Sequence, residues 1–248
     1  MKTLYACIAL VCSTQVHAES TPLIHWWDLS ASALYGENYD LAPSDKQTTF
    51  TFETAGGWRY GDWFAFQDLT YFNGSDVGKS NTTYGEITTR FSANKIFNTD
   101  IGFSIVKDLS LALQLEEGEG PLETLLYGVG IDFDLPYFKY VKLNSYKKHP
   151  LHSGQDDNEW QLSPSFMLEV PVGNSSLIID GYIDWVFNTD TDIDSFHLNP
   201  QIKYDLGQVM FNQPSKLLVG IEYDLWLNKY GVEGIDQNTF SFLVKYHL

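Results

Sequence analysis

Between Asp62 and Asp68 the chain reads Asp-Trp-Phe-Ala-Phe-Gln-Asp, with carboxylates at both ends of a run rich in aromatic rings. In an extended segment alternate residues share a face. Asp62, Phe64, Phe66 and Asp68 then stand together, with Trp63, Leu69 and Tyr71 opposite. An aromatic face stacks flat apolar groups, and a carboxylate beside it accepts hydrogen bonds from hydroxyls and amines. Such a surface binds weakly and reversibly and breaks no bond. The opposite phase, with Trp63, Gln67 and Tyr71 on the working face, stays open because both faces of this segment are mixed. The same mixture recurs at period two elsewhere: Glu86 with Arg90, Asn144 with Tyr146, Tyr182 with Asp184, Asn199 with Lys203, and Glu222 with Trp226.

Catalytic patterns are poor by comparison. His152 and Ser153 are adjacent, with Asp156 and Asp157 nearby, but neighbours in sequence point in different directions and the spacing of a lipid-hydrolysing site is missing. His197 has no acid-pair motif of a protease beside it. His25, His149, His152 and His197 are scattered, and both cysteines, Cys7 and Cys12, fall in the N-terminal leader, so no thiolate metal site is available. Asp190, Asp192 and Asp194 alternate in a loop without the Gly and Glu of a calcium-binding helix-loop-helix, which reads as a solvated loop. No enzyme activity, metal or cofactor is expected.

The leader itself has a basic Lys2, a short apolar core from Leu4 to Cys12 and a small-residue cleavage site at Val16-His17-Ala18. It reads as a secretory signal over residues 1–18, leaving a single domain over 19–248. Lys2 is its one base, so the remainder carries 14 basic and 32 acidic residues. That balance argues against nucleic acid as a partner. With no cysteine left for disulfides, the secreted chain must be held together by another device.

The elements that position these residues follow from the same period. The chain ends Thr-Phe-Ser-Phe-Leu-Val-Lys-Tyr-His-Leu, with Phe240, Phe242, Val244, Tyr246 and Leu248 on one face and nothing after them to cover it. Lipid covers such a face in a transmembrane strand. Twelve segments of this kind recur, centred on Trp27–Tyr35, Phe50–Phe52, Asp62–Tyr71, Thr82–Ala93, Leu109–Glu116, Tyr127–Leu135, Val141–Tyr146, Trp160–Val170, Leu177–Trp185, Phe196–Asp205, Val219–Leu227 and the terminal strand. Mean hydropathy is only −0.20, as it must be when polar and apolar faces alternate. Turns are expected at Gly56-Gly57, Asp134-Leu135-Pro136 and Pro171–Asn174. Longer polar loops are expected at every second connection: 36–47, 73–81, 116–123, 147–158, 188–195 and 229–238. Residues 94–108 could hold part of another strand. The reading is all-β: a 12-stranded antiparallel transmembrane β-barrel from about residue 25 to 248, in a Gram-negative outer membrane with both termini periplasmic.

Several strings resemble the nucleoside-specific, Tsx-like family of outer-membrane channels, and its OmpK branch most. They are Tyr84–Ser92 (YGEITTRFS), Leu126–Pro136 (LYGVGIDFDLP), Asp180–Trp185 (DGYIDW), Asn199–Gly207 (NPQIKYDLG) and Val219–Gly231 (VGIEYDLWLNKYG). The end at Leu248 departs from the Phe on which such barrels usually finish. The resemblance implies a narrow twelve-stranded pore for nucleosides, and in some members a phage receptor. It makes the chain a channel for passive diffusion of nucleosides and similar small solutes; a general or structural barrel, or a surface receptor without selectivity, is the alternative. Lipopolysaccharide, outer-membrane lipid and the barrel-assembly machinery are the implied partners.

With the apolar faces outward, the lumen holds Glu53, Asp62, Asp68, Glu86, Asp132, Asp134, Glu169, Asp180, Asp184, Asp205, Glu222 and Asp224 against Arg90, Lys142, Lys203 and Lys245. Cross-lumen pairs such as Glu86 with Lys245 and Arg90 with Glu222 are expected. Phe64, Phe66, Tyr146, Tyr182 and Trp226 would stack bases, while Asp184, Asn144 and Asn199 meet ribose hydroxyls and base edges. The surplus of acids would disfavour phosphorylated solutes.

Overall fold

The computed structural model describes residues 22–120, 122–153, 157–190 and 193–248; residues 1–18, and with them the expected signal, lie outside this set. Twelve antiparallel strands run in chain order: β1 (Ile24–Glu37), β2 (Lys46–Trp58), β3 (Gly61–Phe72), β4 (Asn81–Ser92), β5 (Val106–Gly118), β6 (Glu123–Phe133), β7 (Phe138–Pro150), β8 (Trp160–Val172), β9 (Ser175–Phe187), β10 (Ser195–Asp205), β11 (Leu217–Leu227) and β12 (Gln237–His247). Each pairs with its neighbours in sequence, and β1 pairs with β12 to close a barrel. The seam runs in register from Ser30 opposite His247 to Gly36 opposite Ser241. Closure leaves no unpaired edge, so backbone polar groups are satisfied without water.

Period two decides the two faces. Among the described residues the buried polar and charged side chains number 22 and the buried hydrophobic ones eight, the reverse of a water-soluble core. Trp27, Ile87, Val129, Phe240 and Phe242 are all more than half exposed on the outer face. An apolar surface that encircles the molecule is far larger than a soluble monomer tolerates. A bilayer covers it.

The register also settles the phase of β3. Asp62 lies opposite Arg90, Phe64 opposite Thr88, Phe66 opposite Glu86 and Asp68 opposite Tyr84, so these four side chains share the lumenal face. Trp63 and Tyr71 lie outside, and Trp63 packs over Gly56 of β2, where a Cβ would occupy the space of its ring.

Several boundaries differ from expectation. Gly56-Gly57 is not a turn: both glycines sit within β2, and the chain reverses at 59–60. Residues 94–108 hold no further strand. Ser92 accepts a hydrogen bond from the Lys95 backbone and caps a short helix, α1 (Ala93–Phe97), ended by Asn98 in the left-handed conformation. A second one, α2 (Leu206–Phe211), follows β10, capped by Asp205 and ended by Asn212. The end carrying the termini therefore has two long connections as well as short ones, and the strict short-long alternation fails there. Where a polar cap precedes a non-alternating stretch, a helical turn wins over a tight hairpin. Asp134 falls in the turn after β6 rather than inside the lumen, and Glu169 is exposed near the end of β8, paired with Lys139.

Candidate functional site: the barrel lumen

Register fixes what shares each level of the lumen. In the half nearer the turns, cations and carboxylates form a belt. The Arg90 guanidinium contacts Asp132 and lies 3.6 Å from Asp62, which Lys142 also reaches at 3.0 Å. Lys203 sits 2.6 Å from Asp180 and donates to Gln201 at 2.7 Å. Lys245 reaches Glu53 at 2.6 Å. Four cations thus meet four carboxylates, and the belt is close to neutral.

The expected pairs Glu86–Lys245 and Arg90–Glu222 do not form. Glu86 accepts from Tyr84 Oη (2.7 Å) and Gln114 Nε2 (3.0 Å), and Glu222 accepts from Gln201 (2.8 Å). Apart from Lys142, which reaches from β7 to Asp62 of β3, these pairs run around the wall, because small residues on the intervening strands clear the way. Lys245 and Glu53 flank β1, whose inward residues there are Ser30 and Ser32. Arg90 crosses from β4 past Ala112 of β5 to β6, where its guanidinium takes the space that a Cβ on Gly130 would need (Nη2 at 2.7 Å).

Toward the loop end the balance changes. Asp68, Glu86, Glu116, Asp184, Glu222 and Asp224 face inward there, against Lys148, His197 and, next to Trp226, Lys229. Lys148 lies 3.5 Å from Glu116 and His197 Nε2 3.3 Å from Asp224. Neutral donors hold several of these acids: Ser163 and Gln161 donate to Asp184 at 2.6 and 3.0 Å, and Thr51 to Asp68 at 2.6 Å. At this level two aromatic runs occupy opposite walls. On β3 and β4, Phe64, Phe66 and Tyr84 follow one another with ring centres 6.1 and 6.0 Å apart. On β9 to β11, Tyr182 meets His197 edge-on at 5.3 Å, and His197 stacks on Trp226 at 3.8 Å and 15°. Tyr230, just beyond β11, extends this run at 5.0 Å.

The sequence-derived residues therefore divide. Phe64, Phe66, Tyr182, Trp226, Asp68, Glu86, Asp184 and Glu222 gather around the aromatic level. Asp62, Arg90 and Lys203 belong to the ion-paired belt. Tyr146 is fully buried against Ala112 and Leu126 in the wall, and Asn144 and Asn199 are buried as well. Tyr84, Gln114 and Glu116 share the inward parity and were legible by alternation, whereas Lys148 falls in the stretch expected as a loop from 147, through which β7 continues to Pro150. Tyr39 and Tyr230 lie in connections, where no period marks them. The 38–45 connection folds toward the barrel: Tyr39 Oη lies 2.5 Å from Ser241, and Lys229 donates to the Asp40 carbonyl at 2.9 Å and to Gln237 at 2.5 Å. Burial pushes the Tyr39 phenol up to about 12 and the Lys229 ammonium down. Among the described residues no group of three or more His, Cys, Asp or Glu is disposed to hold a metal ion.

The family model described as nucleoside-specific channel-forming protein, Tsx, matches residues 24–246, which is the barrel from the first strand to the last. The chain belongs to this family. Among curated relatives it is 24% identical over 246 residues to the nucleoside-specific channel-forming protein Tsx of Escherichia coli O157:H7, covering 89% of this chain and 82% of that one. It is 25% identical over 216 residues to the Tsx of Klebsiella aerogenes, covering 77% and 73%. Among solved structures the KdgM porin superposes with a TM-score of 0.51 at 9% identity, over 88% of this chain and 98% of the porin. That likeness establishes the fold alone. As a member of the Tsx family with a lipid-covered exterior and a polar interior, the chain is a Gram-negative outer-membrane β-barrel channel protein.

Proposed function

We propose that the lumen conducts nucleosides and similar small solutes by passive diffusion, without a cofactor and without chemistry on the solute. The observation that carries this reading is the pair of aromatic runs on opposite walls, Phe64–Phe66–Tyr84 and Tyr182–His197–Trp226, interleaved with carboxylates. A base stacks on such rings with about 1–3 kcal/mol per contact and little preference between bases. Carboxylates and amides beside them meet ribose hydroxyls one at a time. Contacts that are individually weak and repeated along the path allow entry without preventing release. The acidic surplus at this level opposes phosphorylated forms of the same solutes.

The same reading takes residues 1–18 as the export signal and both termini as periplasmic, which places the 38–45 and 228–236 connections outside the cell. Lipopolysaccharide at that rim, assembly by the barrel-folding machinery and use of the loops by a phage belong to it as well. A receptor barrel without nucleoside selectivity is the second reading, favoured by the 38–45 connection that Lys229 and Gln237 hold against the loop end. Single-channel recording in planar bilayers separates them. Current block by added nucleoside, absent with the corresponding nucleotide, is expected. Large conductance insensitive to nucleoside, or no conductance, would overturn the proposal.

A further inference from the structure

Four charged side chains of the belt are cross-wired. In the β3–β4 register Asp62 stands opposite Arg90, and in the β6–β7 register Asp132 stands opposite Lys142. Residues opposite one another on neighbouring strands are the ordinary partners in a sheet. Here each base takes the other's acid. Arg90 contacts Asp132 on β6 and stays 3.6 Å from Asp62, while Lys142 reaches past β6, β5 and β4 to Asp62 at 3.0 Å. In a barrel of twelve strands the four steps from β7 to β3 are a third of the circumference, so Lys142 and Asp62 form a bar across the lumen. Each keeps 26% of its side-chain surface exposed against 3% for Arg90, so the bar meets the aqueous path and the guanidinium lies beneath it.

The crossed arrangement leaves bonds unmade. Arg90 Nε and Nη1 are buried and have no hydrogen-bond partner among the described residues, an unfavourable state for donors of a cation. An exchange of partners relieves it. Asp62, released by Lys142, can close the 3.6 Å gap to Nη1, and Lys142 can fold back onto Asp132, which faces it on the adjacent strand. Both new pairs lie flat along the wall, and the total charge is unchanged. The sector that they vacate is floored by small residues. Ala112 of β5 is fully buried there, and the Arg90 guanidinium occupies the space of a side chain on Gly130 of β6. Crossed pairing fills this sector, and neighbour pairing opens it.

We propose that Asp62, Arg90, Asp132 and Lys142 form a two-position gate in the turn-end half of the lumen, with Lys142 as its moving bar, and that this gate sets the width of the path open to solutes. Two packings of the same four groups, differing only in which acid each base meets, make a bistable element. The gate presupposes that the lumen is a conduction path, as proposed above. Its width is measured without nucleoside, so failure of the gate and failure of nucleoside block are separate results.

Single-channel conductance of the full barrel, with the size of the largest neutral polyethylene glycol that enters it, reports this width. Lys142→Cys and Asp62→Ala remove opposite charges, yet each should raise both readings, conductance by about twofold. Asp132→Ala removes the acceptor of the open arrangement and should lower conductance. No cysteine follows Cys12, so the new thiol can be modified in the assembled barrel. The reagent 2-aminoethyl methanethiosulfonate converts it to a mixed disulfide that ends in a lysine-like ammonium, with release of methanesulfinate. Conductance should then fall to that of the unsubstituted barrel and rise again on reduction. The uncharged propyl reagent of equal length should not restore it, and the ammonium should restore nothing where Asp62 is also replaced by alanine. Conductance moving in opposite directions in Lys142→Cys and Asp62→Ala would assign the effect to the field of a charge and overturn the gate. So would a change of the same sign in Asp62→Ala and Asp132→Ala, equal restoration by the two reagents, or no change in the assembled Lys142→Cys barrel.

Discussion

Phe64 and Phe66 carry the sharpest expectation at the scale of single residues, because the β3 register places both rings on the lumenal face beside Glu86. Replacing both by alanine should weaken nucleoside block by about 1–3 kcal/mol per lost base contact. Ion conductance should hold or rise as the path widens, and assembly should survive, since lumenal changes in barrels tune selectivity more than folding. A double variant that assembles poorly yet is blocked normally would place the stacking surface elsewhere, with Trp226 and His197 the next rings to test. Gly130 carries a different expectation. Its missing side chain is the space that the Arg90 guanidinium fills on the way to Asp132. Gly130→Leu should displace a nearly buried cation from its partner and cost about 3–5 kcal/mol, the range seen when a buried ion pair is broken. Urea titration of the barrel followed by tryptophan fluorescence would show it; an unchanged midpoint would mean that Arg90 finds another acceptor.

Pairs of strands act together in the seam. Lys245 of β12 and Glu53 of β2 are joined across β1 only because Ser30 and Ser32 are small enough to pass beneath the bridge. Lys245→Met alone should strand Glu53 and destabilise the closed barrel, whereas Lys245→Met combined with Glu53→Gln should recover most of the loss, since removing both members of a buried pair is often near neutral. The heat-modifiable band in detergent electrophoresis reads both outcomes; equal loss in the single and double variants would assign the effect to packing of the Lys245 stem instead. At the other end of the strands, Lys229 and Gln237 hold the 38–45 connection. Lys229→Ala should loosen that connection and appear as greater open-channel noise or larger mean conductance, with the bilayer-spanning part of the barrel unaffected.

The molecule as a whole is organised in two levels, a near-neutral ion-paired belt toward the turns and an acidic aromatic level toward the loops. Ions crossing it meet six inward carboxylates at the second level against Lys148, His197 and Lys229. The pore should therefore prefer cations, weakly where neutral donors and ion pairs spread the charge. Reversal potentials in a salt gradient measure this directly, and an anion preference would contradict the arrangement. Purification as a detergent-independent soluble monomer would contradict the architecture itself.

Much of this architecture was legible in the chain because a strand has period two. Once Phe240, Phe242, Val244 and Tyr246 are assigned to lipid, parity alone sends Ser241 and Lys245 to the lumen, and the same parity sorts Glu86 from Ile87 and Trp226 from Leu225. A one-residue error would invert every side chain, so the pattern is self-checking wherever one face is clearly apolar. It was weakest in β3, whose two faces are equally mixed, and there only pairing with β2 and β4 decided the phase. Parity assigns a side and says nothing of a partner. Lys245 and Glu53 are 192 residues apart, and Arg90 and Asp132 are 42 apart; both pairs depend on strand register and on small residues in the strands between. Nor does parity reach the connections, where caps such as Ser92 and Asp205 turn the chain into helices at one end and the 38–45 and 228–236 connections bring Tyr39 and Tyr230 toward the lumen at the other. The sequence by itself determined which face each residue occupies, because that is local geometry. The tertiary structure alone decided which of them meet, because meeting is set by closure of the sheet.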